Sequence, residues 1–474
     1  MILKPSQCLI TNISLTTQQN EVLDREKNFN EFFGSISIYE NIFTPYITAE
    51  LNIIDGASFI ERYNISGNED FEIEFVGYGY DTPLKYKFKT VELVNSFPTN
   101  NLRAKQVVLR LASDELLNDS STSISKSYNV GVDSIVNDIV SNFLKSKKQV
   151  EVEPIKGFPL VVIPYLSPFK AIDFLRQRIV SEKYKSSSFL FFENSKGYNL
   201  VTVEGLIDNQ LKNNPQRFFQ SEAISQNIKN GGSSSDIDSH HLFFNYTVQS
   251  SFNLNFMFKN GGLRTNLTQY DLTTKDYKTR VFYNNPSDSI FVDTTSNENP
   301  LLTSKVFNQY SQNSNKPLLL PFSTYKDTEN YTENFIFDTV AERLCFSSLF
   351  TQKQVYIDIP GNTLINAGSL INLNVPRYDS LNSKKDSNEM DSGFYLVTAC
   401  RHNVTNADTA RFDTHLELMR LGRGVLEWQL MLWVKKVSSG FLVLWRIGMI
   451  LNKLEDLELG FITSIHLQKV VLLT

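Results

Sequence analysis

The sequence is short of the residues that most enzymes and stapled extracellular domains depend on. It has 3 cysteines in 474 residues (Cys8, Cys345 and Cys400), an odd number at wide spacing. That pattern supplies neither a disulfide framework nor the close C-x-x-C pairs of a zinc site, and predicts free thiols made in a reducing cytosol. Histidine is equally sparse, at 5. His240 and His241 adjoin a Ser-rich run with no third ligand nearby, and read as a surface pair. His415 alternates within an apolar stretch and reads as a half-exposed strand residue; His402 and His466 stand alone. No nucleophile elbow, H-E-x-x-H helix, phosphate loop or dinucleotide fingerprint is present. A basic excess is missing too: 46 Lys and Arg against 51 Asp and Glu give a net charge of −5, which argues against a general grip on nucleic acid. The N-terminus has no basic segment leading into an apolar stretch, and nothing before residue 420 approaches ~18 continuous apolar residues, so neither a signal peptide nor a membrane span is expected.

What the chain does have is phenylalanine and tyrosine, 35 and 20 against 3 tryptophans. With abundant Ile, Val and Thr, these favour strands. Alternation over 33–40, 48–56, 71–76, 86–91 and 106–111 predicts a barrel or sandwich in the first ~112 residues, with an Asp55-Gly56 turn. Ser120 to Tyr128 reads as a hinge. Apolar residues at helical spacing over 132–144 predict a helix. Ser167 and Pro168 look like the N-cap and first turn of another, over 169–179. A hairpin follows, 188–193 and 198–203, completing a small α+β domain. Residues 209–239 read as a polar loop. Strands return at 242–258 and 277–283, 284–330 is polar, and 354–418 is β again. At 474 residues the chain fits two to four domains. The boundaries drawn are 1–112 and 346–421 for two β-barrels, 113–208 for the α+β domain, and 209–345 for a mixed region lending strands to the second barrel.

Catalytic candidates dissolve under the same reading. Glu72 and Glu74 could pass for a glycosidase pair, but period-two spacing puts both on one solvent face of a strand. Glu342-Arg343 and Asp173–Arg176 read as helix-surface pairs. Phe189, Phe191, Phe192 and Tyr198 could stack on sugars or bases, yet at least half of a hairpin's side chains must face a core. No catalytic, cofactor-binding or metal residue is assigned, and the chain is expected not to be an enzyme.

One stretch is more specific: Asn260-Gly261-Gly262-Leu263-Arg264, then Asp271, Lys275, Tyr277 and Arg280-Val281-Phe282-Tyr283. It resembles the baseplate central hub protein of T-even-like contractile phages, where a glycine turn leads through an Asp, a Lys and an aromatic into a strand. The Pro168–Ile179 helix with its Phe-rich hairpin looks like that family's inserted α+β domain. Ile359-Pro360-Gly361-Asn362-Thr363 with Ala367-Gly368-Ser369 and Pro376 looks like a turn-and-strand pattern of its second barrel. The resemblance runs over about 1–421. It implies a mainly β fold with an inserted α+β domain and two tail-tube-like β-barrel domains per subunit. It also implies a homotrimer whose six barrels adapt a hexameric tail tube to a threefold spike, in a virion tail baseplate assembled in the host cytoplasm. The expected partners are the tail spike protein, the tail tube protein and other baseplate subunits, with DNA only as passing cargo and no stable membrane association. An acidic chain suits such a channel. Gly261, Gly262, Asp271, Lys275, Tyr277, Gly361 and Gly368 become candidate turn residues with architectural roles and no cofactor. A carbohydrate-binding adhesin or a tail-associated cell-wall lytic protein is the alternative.

Residues 422–474 depart from the rest: all three tryptophans (Trp428, Trp433, Trp445) lie there, in apolar runs without clean amphipathic faces. Lys435, Lys436 and Arg446 interrupt any membrane span. Codons can be chosen for Trp445–His466 so that an adjacent frame reads E-N-R-N-D-P-K-Q-I-G-R-L-R-V-R-F-Y-N-I-H, which resembles the opening strands of that family's spike. The tail is therefore expected to be an out-of-frame translation of a spike N-terminus.

Overall fold

The computed structural model describes residues 6–98, 104–156, 160–220, 241–250, 353–376 and 391–420, apart from 25, 27, 28, 185, 213, 214 and 407–409, together with three short strands between 264 and 321 and the single positions 255, 343 and 388. The tail with its three tryptophans, and Gly261, Gly262, Asp271 and Lys275, lie outside the described residues.

The chain is mainly β. Its first part runs β1 (Cys8–Thr16), β2 (Val22–Leu23), α1 (Phe29–Phe32), β3 (Phe33–Asn41), β4 (Thr48–Asp55), α2 (Phe59–Arg62), β5 (Asp70–Gly77), β6 (Leu84–Pro98) and β7 (Lys105–Ala112). Strict alternation does the work here: Phe71, Ile73 and Phe75 of β5 point inward while Glu72 and Glu74 point out. The outward acids face lysines across the pair, Glu72 opposite Lys87 and Glu74 opposite Lys85, so the two carboxylates belong to a cross-strand ion ladder. The Asp55-Gly56 turn is also a helix start, since Asp55 Oδ1 accepts from the amides of Ala57 and Phe59 at 3.0 and 2.7 Å.

The second part alternates helix and strand: α3 (Asp114–Ser121), β8 (Ile124–Asn129), α4 (Val132–Asp138) continued by a π-helical turn (Ile139–Phe143), β9 (Val150–Val152), β10 (Leu160–Leu166), α5 (Pro168–Arg176), β11 (Phe189–Asn194), β12 (Gly197–Thr202) and α6 (Val203–Lys212). Ser120–Tyr128 is thus not a hinge: it holds the end of α3 and most of β8, because Ile124 and Tyr128 are buried in the domain's core. Ser167 does not cap α5 with its side chain. That role falls to Asp119 of α3, whose Oδ1 accepts from the Phe169 amide at 2.6 Å, a partner fifty positions away.

The remaining strands are β13 (Gln216–Gln220), β14 (Leu242–Ser250), β15 (Arg264–Tyr270), β16 (Tyr277–Tyr283), β17 (Lys316–Pro321), β18 (Gln354–Pro360), β19 (Leu370–Asn374), β20 (Gly393–Thr405) and β21 (Arg411–Met419). Tyr277 opens β16, paired with Tyr270 of β15. Six of the others close on themselves in the order β19-β13-β14-β18-β21-β20, with β20 returning to β19. Their inward residues, among them Phe218, Phe243, Ile357 and Leu418, form a separate core.

The first barrel does not close on its own strands. The order β3-β4-β7-β6-β5-β1 leaves a gap between β1 and β3. The far ends of β20 and β21 fill it: Ala399–Thr405 pairs with β3, and Gln7 bridges Arg411, with Cys8 N donating to Ala410 O and Phe412 N to Ser6 O, each at 2.9 Å. Val404 and Phe412 accordingly belong to the first core. One hairpin of the second barrel thus completes the first, and a single thirteen-stranded sheet runs through both.

Candidate functional site

The place where most of the described chain converges is the junction of the two barrels with the α+β domain. Three segments meet there: the end of β3, the β11–β12 turn, and the loop 361–369 between β18 and β19.

Glu40, near the end of β3, is almost completely buried. Its Oε1 accepts from the Tyr86 hydroxyl of β6 at 3.0 Å and from the Ser195 amide of the hairpin turn at 2.9 Å. Its Oε2 accepts from the Ala367 amide of the second-barrel loop at 3.0 Å. One carboxyl group therefore ties strands of the first barrel to both other parts. Burial pushes it up to about 7, against the pull of those three hydrogen bonds. Around it Asn194 Nδ2 donates to Ala367 O at 3.2 Å, and Asn366 Nδ2 to Ser195 Oγ at 3.3 Å.

A second buried carboxylate lies on the same hairpin. Glu193 accepts from the Ile47 amide at 3.2 Å, from Ser113 Oγ at 2.8 Å and from Lys148 Nζ at 2.6 Å. Lys148 also pairs with Glu115 at 2.7 Å. Burial raises Glu193 while the Lys148 ammonium holds it down, and burial wins. Three carboxyls thus surround this junction with one ammonium among them.

Two of the turn glycines sit in this loop. Gly361 directly follows β18, where its amide donates to Phe412 O at 3.0 Å. A Cβ there would overlap the Phe412 ring and lie 2.6 Å from Phe412 O. Gly368 has φ +90°, a conformation closed to most side chains, and a Cβ on it would meet Phe192 Cζ at 3.0 Å. The structure brings these two together and leaves Tyr277 in the separate β15–β16–β17 sheet. Sequence reading missed Glu40, Glu193 and Lys148, since an acid at the end of an alternating strand looks like any other outward residue.

The cysteine and histidine candidates Cys400, His402 and His415 lie in the second barrel's strands. Cys400 Sγ lies 3.4 Å from His402 Nε2, a spacing that could suggest a thiolate–imidazolium pair. Both are buried, which pushes the thiol well up and the imidazole down to about 4, so both are neutral at pH 7. His415 is half-buried in β21, with Nδ1 2.5 Å from Asp358 Oδ1. Among the described residues, no group of three or more His, Cys, Asp or Glu is arranged to hold a metal ion, and no helix is long and apolar enough to cross a membrane. The aromatic hairpin is not a stacking platform: Phe189, Phe191, Phe192 and Tyr198 are all buried, and Phe191 and Tyr198 stack on each other at 5.3 Å.

No family model and no curated protein matches the sequence. Solved structures do match the fold. The tail protein from Neisseria meningitidis MC58 superposes with a TM-score of 0.50 at 9% identity, over 87% of this chain and 97% of that one. The 43 kDa tail protein of prophage MuSo2 from Shewanella oneidensis does so with a TM-score of 0.50 at 10% identity, over 86% and 98%. The fold is that of phage tail proteins. Both superpositions extend over nearly all of the compared chain, so the two barrels and the α+β domain are shared as one unit rather than as a common barrel alone.

Proposed function

We propose that the chain is a structural, non-enzymatic subunit of a phage tail baseplate hub, acting as a homotrimeric ring between a hexameric tail tube and a threefold central spike. The observation that carries this is the pair of barrels locked together by one hairpin in a chain with a tail-protein fold. Three copies of a two-barrel subunit present six similar barrels, which reconciles sixfold and threefold symmetry with a single gene product. Fusion through β20 and β21 makes the two barrels a rigid pair, so the spacing around such a ring is set within each subunit.

The same reading gives the ring a central channel through which DNA passes. Across the seam Ser37 Oγ donates to Asn403 Oδ1 and Arg401 reaches Ser37 Oγ and covers the Tyr39 ring, while Arg411 pairs with Asp413 within β21. The net charge of −5 disfavours tight contact with a phosphate backbone. The partners in this reading are the spike, the tube protein and other baseplate subunits, within the virion.

Light scattering and native mass spectrometry of the full chain, alone and co-expressed with a tail spike protein, test the proposal. A trimer in either condition supports it. A monomer at micromolar concentration in both overturns it.

A further inference from the structure

Each barrel carries one apolar row on its outer face. In the first, Ile54 of β4, Gln106 of β7 and Phe97 of β6 lie directly opposite one another across three paired strands. Their neighbours Ile53 and Val107 fill the core, so this row faces outward. Ile54 and Phe97 are 48% and 46% exposed. In the second barrel, Phe219 of β13 pairs with Leu242 of β14, and Phe244 lies two residues further along the same face. Phe218 and Phe243 alternate with them into the core. Phe219 and Phe244 are 38% and 40% exposed.

Between the two rows runs the β20–β3 seam, with β4, β7 and β6 on one side and β14 and β13 on the other. Its outward residues are polar: Ser37, Tyr39, Arg401 and Asn403 bond or cover one another, and Glu50 lies opposite Arg110. The shared sheet is therefore polar at its middle, with an aromatic-bearing row to each side. A lone exposed apolar residue needs no explanation, but a contiguous row marks a contact surface.

We propose that the two rows are the two halves of one subunit contact: the Ile54–Phe97 row of one copy docks on the Phe219–Phe244 face of the next. This rests on the ring reading above and names the surfaces that close the ring. The occupant is a second copy because each subunit carries two different rows. A head-to-tail contact uses each of them once and leaves neither bare when the ring closes. A twofold dimer would use one row twice and leave the other in water. Neither row contains an ionisable side chain, so docking buries no unpaired charge. The polar seam and the β5–β6 ion ladder, which are costly to desolvate, stay in water.

Native mass spectrometry of the full chain tests this, under the condition in which the wild type is a trimer. Ile54→Glu/Phe97→Glu and Phe219→Glu/Phe244→Glu alter only exposed positions. Each should lose the trimer, through a weakening of the contact by about a hundredfold or more. Mixed in equal amounts, the two variants should form a heterodimer, since each keeps the row that the other lacks. Trimers that persist in either variant, homodimers of one variant, or a mixture that stays monomeric overturn the contact while leaving the ring standing. A wild type that is monomeric with and without a tail spike protein removes the ring, and this contact with it. Should a variant not fold, hydroxyl-radical footprinting of the wild type decides. Phe97 and Phe219 should react more slowly in the trimer than in dilute monomer, with Tyr165, 75% exposed and outside both rows, as the reference. Equal rates in trimer and monomer overturn the proposal.

Discussion

Gly361, in the second barrel's turn, lies against the ring of Phe412, a residue of the first barrel's core. The Gly361 amide donates to Phe412 O at 3.0 Å, and the Phe412 ring meets Phe75 edge-on with centroids 5.1 Å apart. The contact exists because β21 reaches past its own barrel to finish the other one. A glycine is required there for space, since any β-carbon would occupy the volume of the ring.

Gly361→Ala should therefore destabilise the protein by about 1–3 kcal/mol through overpacking. The loss should show as a lowered urea midpoint with an unchanged slope. Gly368→Ala should lose roughly 1 kcal/mol or more, for a different reason: its φ of +90° disfavours a side chain whatever the space. Wild-type midpoints for both variants would contradict the account of this loop.

Lys148→Met should be more damaging than its half-buried position suggests. It removes the ammonium that faces both Glu193 and Glu115, leaving two buried carboxyls opposed. With partial solvent screening, the loss is on the order of 2 kcal/mol. The acids raise the lysine above 10.5, so its contribution is complete below that pH and disappears as the pH rises through its folded value. Denaturation midpoints at pH 7 and pH 11.5 should differ more for wild type than for Lys148→Met.

His402 and Glu40 should drive stability in opposite directions over the same pH range. Burial lowers His402 from 6.5 to about 4, so its contribution is present above 6.5 and lost as the pH falls toward 4. Glu40, raised from 4.5 to about 7, favours folding most in acid and loses that as the pH rises from 4.5 through 7. Each is worth about 3 kcal/mol across its window. Measured against wild type, His402→Phe should lose less stability on acidification, and Glu40→Gln should lose more. Parallel pH profiles for both variants would refute the opposition.

The ladder on β5 and β6 predicts a near-silent result. Glu72 and Lys87 are both exposed, so Glu72→Ala should change stability by less than ~1 kcal/mol. A larger loss, read by urea titration, would mean that this face is covered in solution.

Much of the architecture was legible one strand at a time. Period-two alternation around Phe71, Ile73 and Phe75 places a strand because only that spacing puts all three on one face. The amphipathic run from Val132 announces a helix for the same reason. The β1 strand was not, because Leu9, Thr11 and Asn12 are exposed and break the alternation.

The sequence by itself determined the strands and helices whose periodicity is regular, since periodicity is local, but not β1, β8, β13 or β17, which lie in stretches without it, and it marked the absence of enzyme motifs. Only the tertiary structure decided that β20 and β21 serve two barrels, that Asp119 caps a helix begun fifty residues later, and that Glu40 is buried rather than facing water. Each of these depends on what approaches from a distant part of the chain. A carboxyl carries no local sign of whether a tyrosine hydroxyl and two remote amides will close over it, and it is that enclosure, not the residue, that sets its charge.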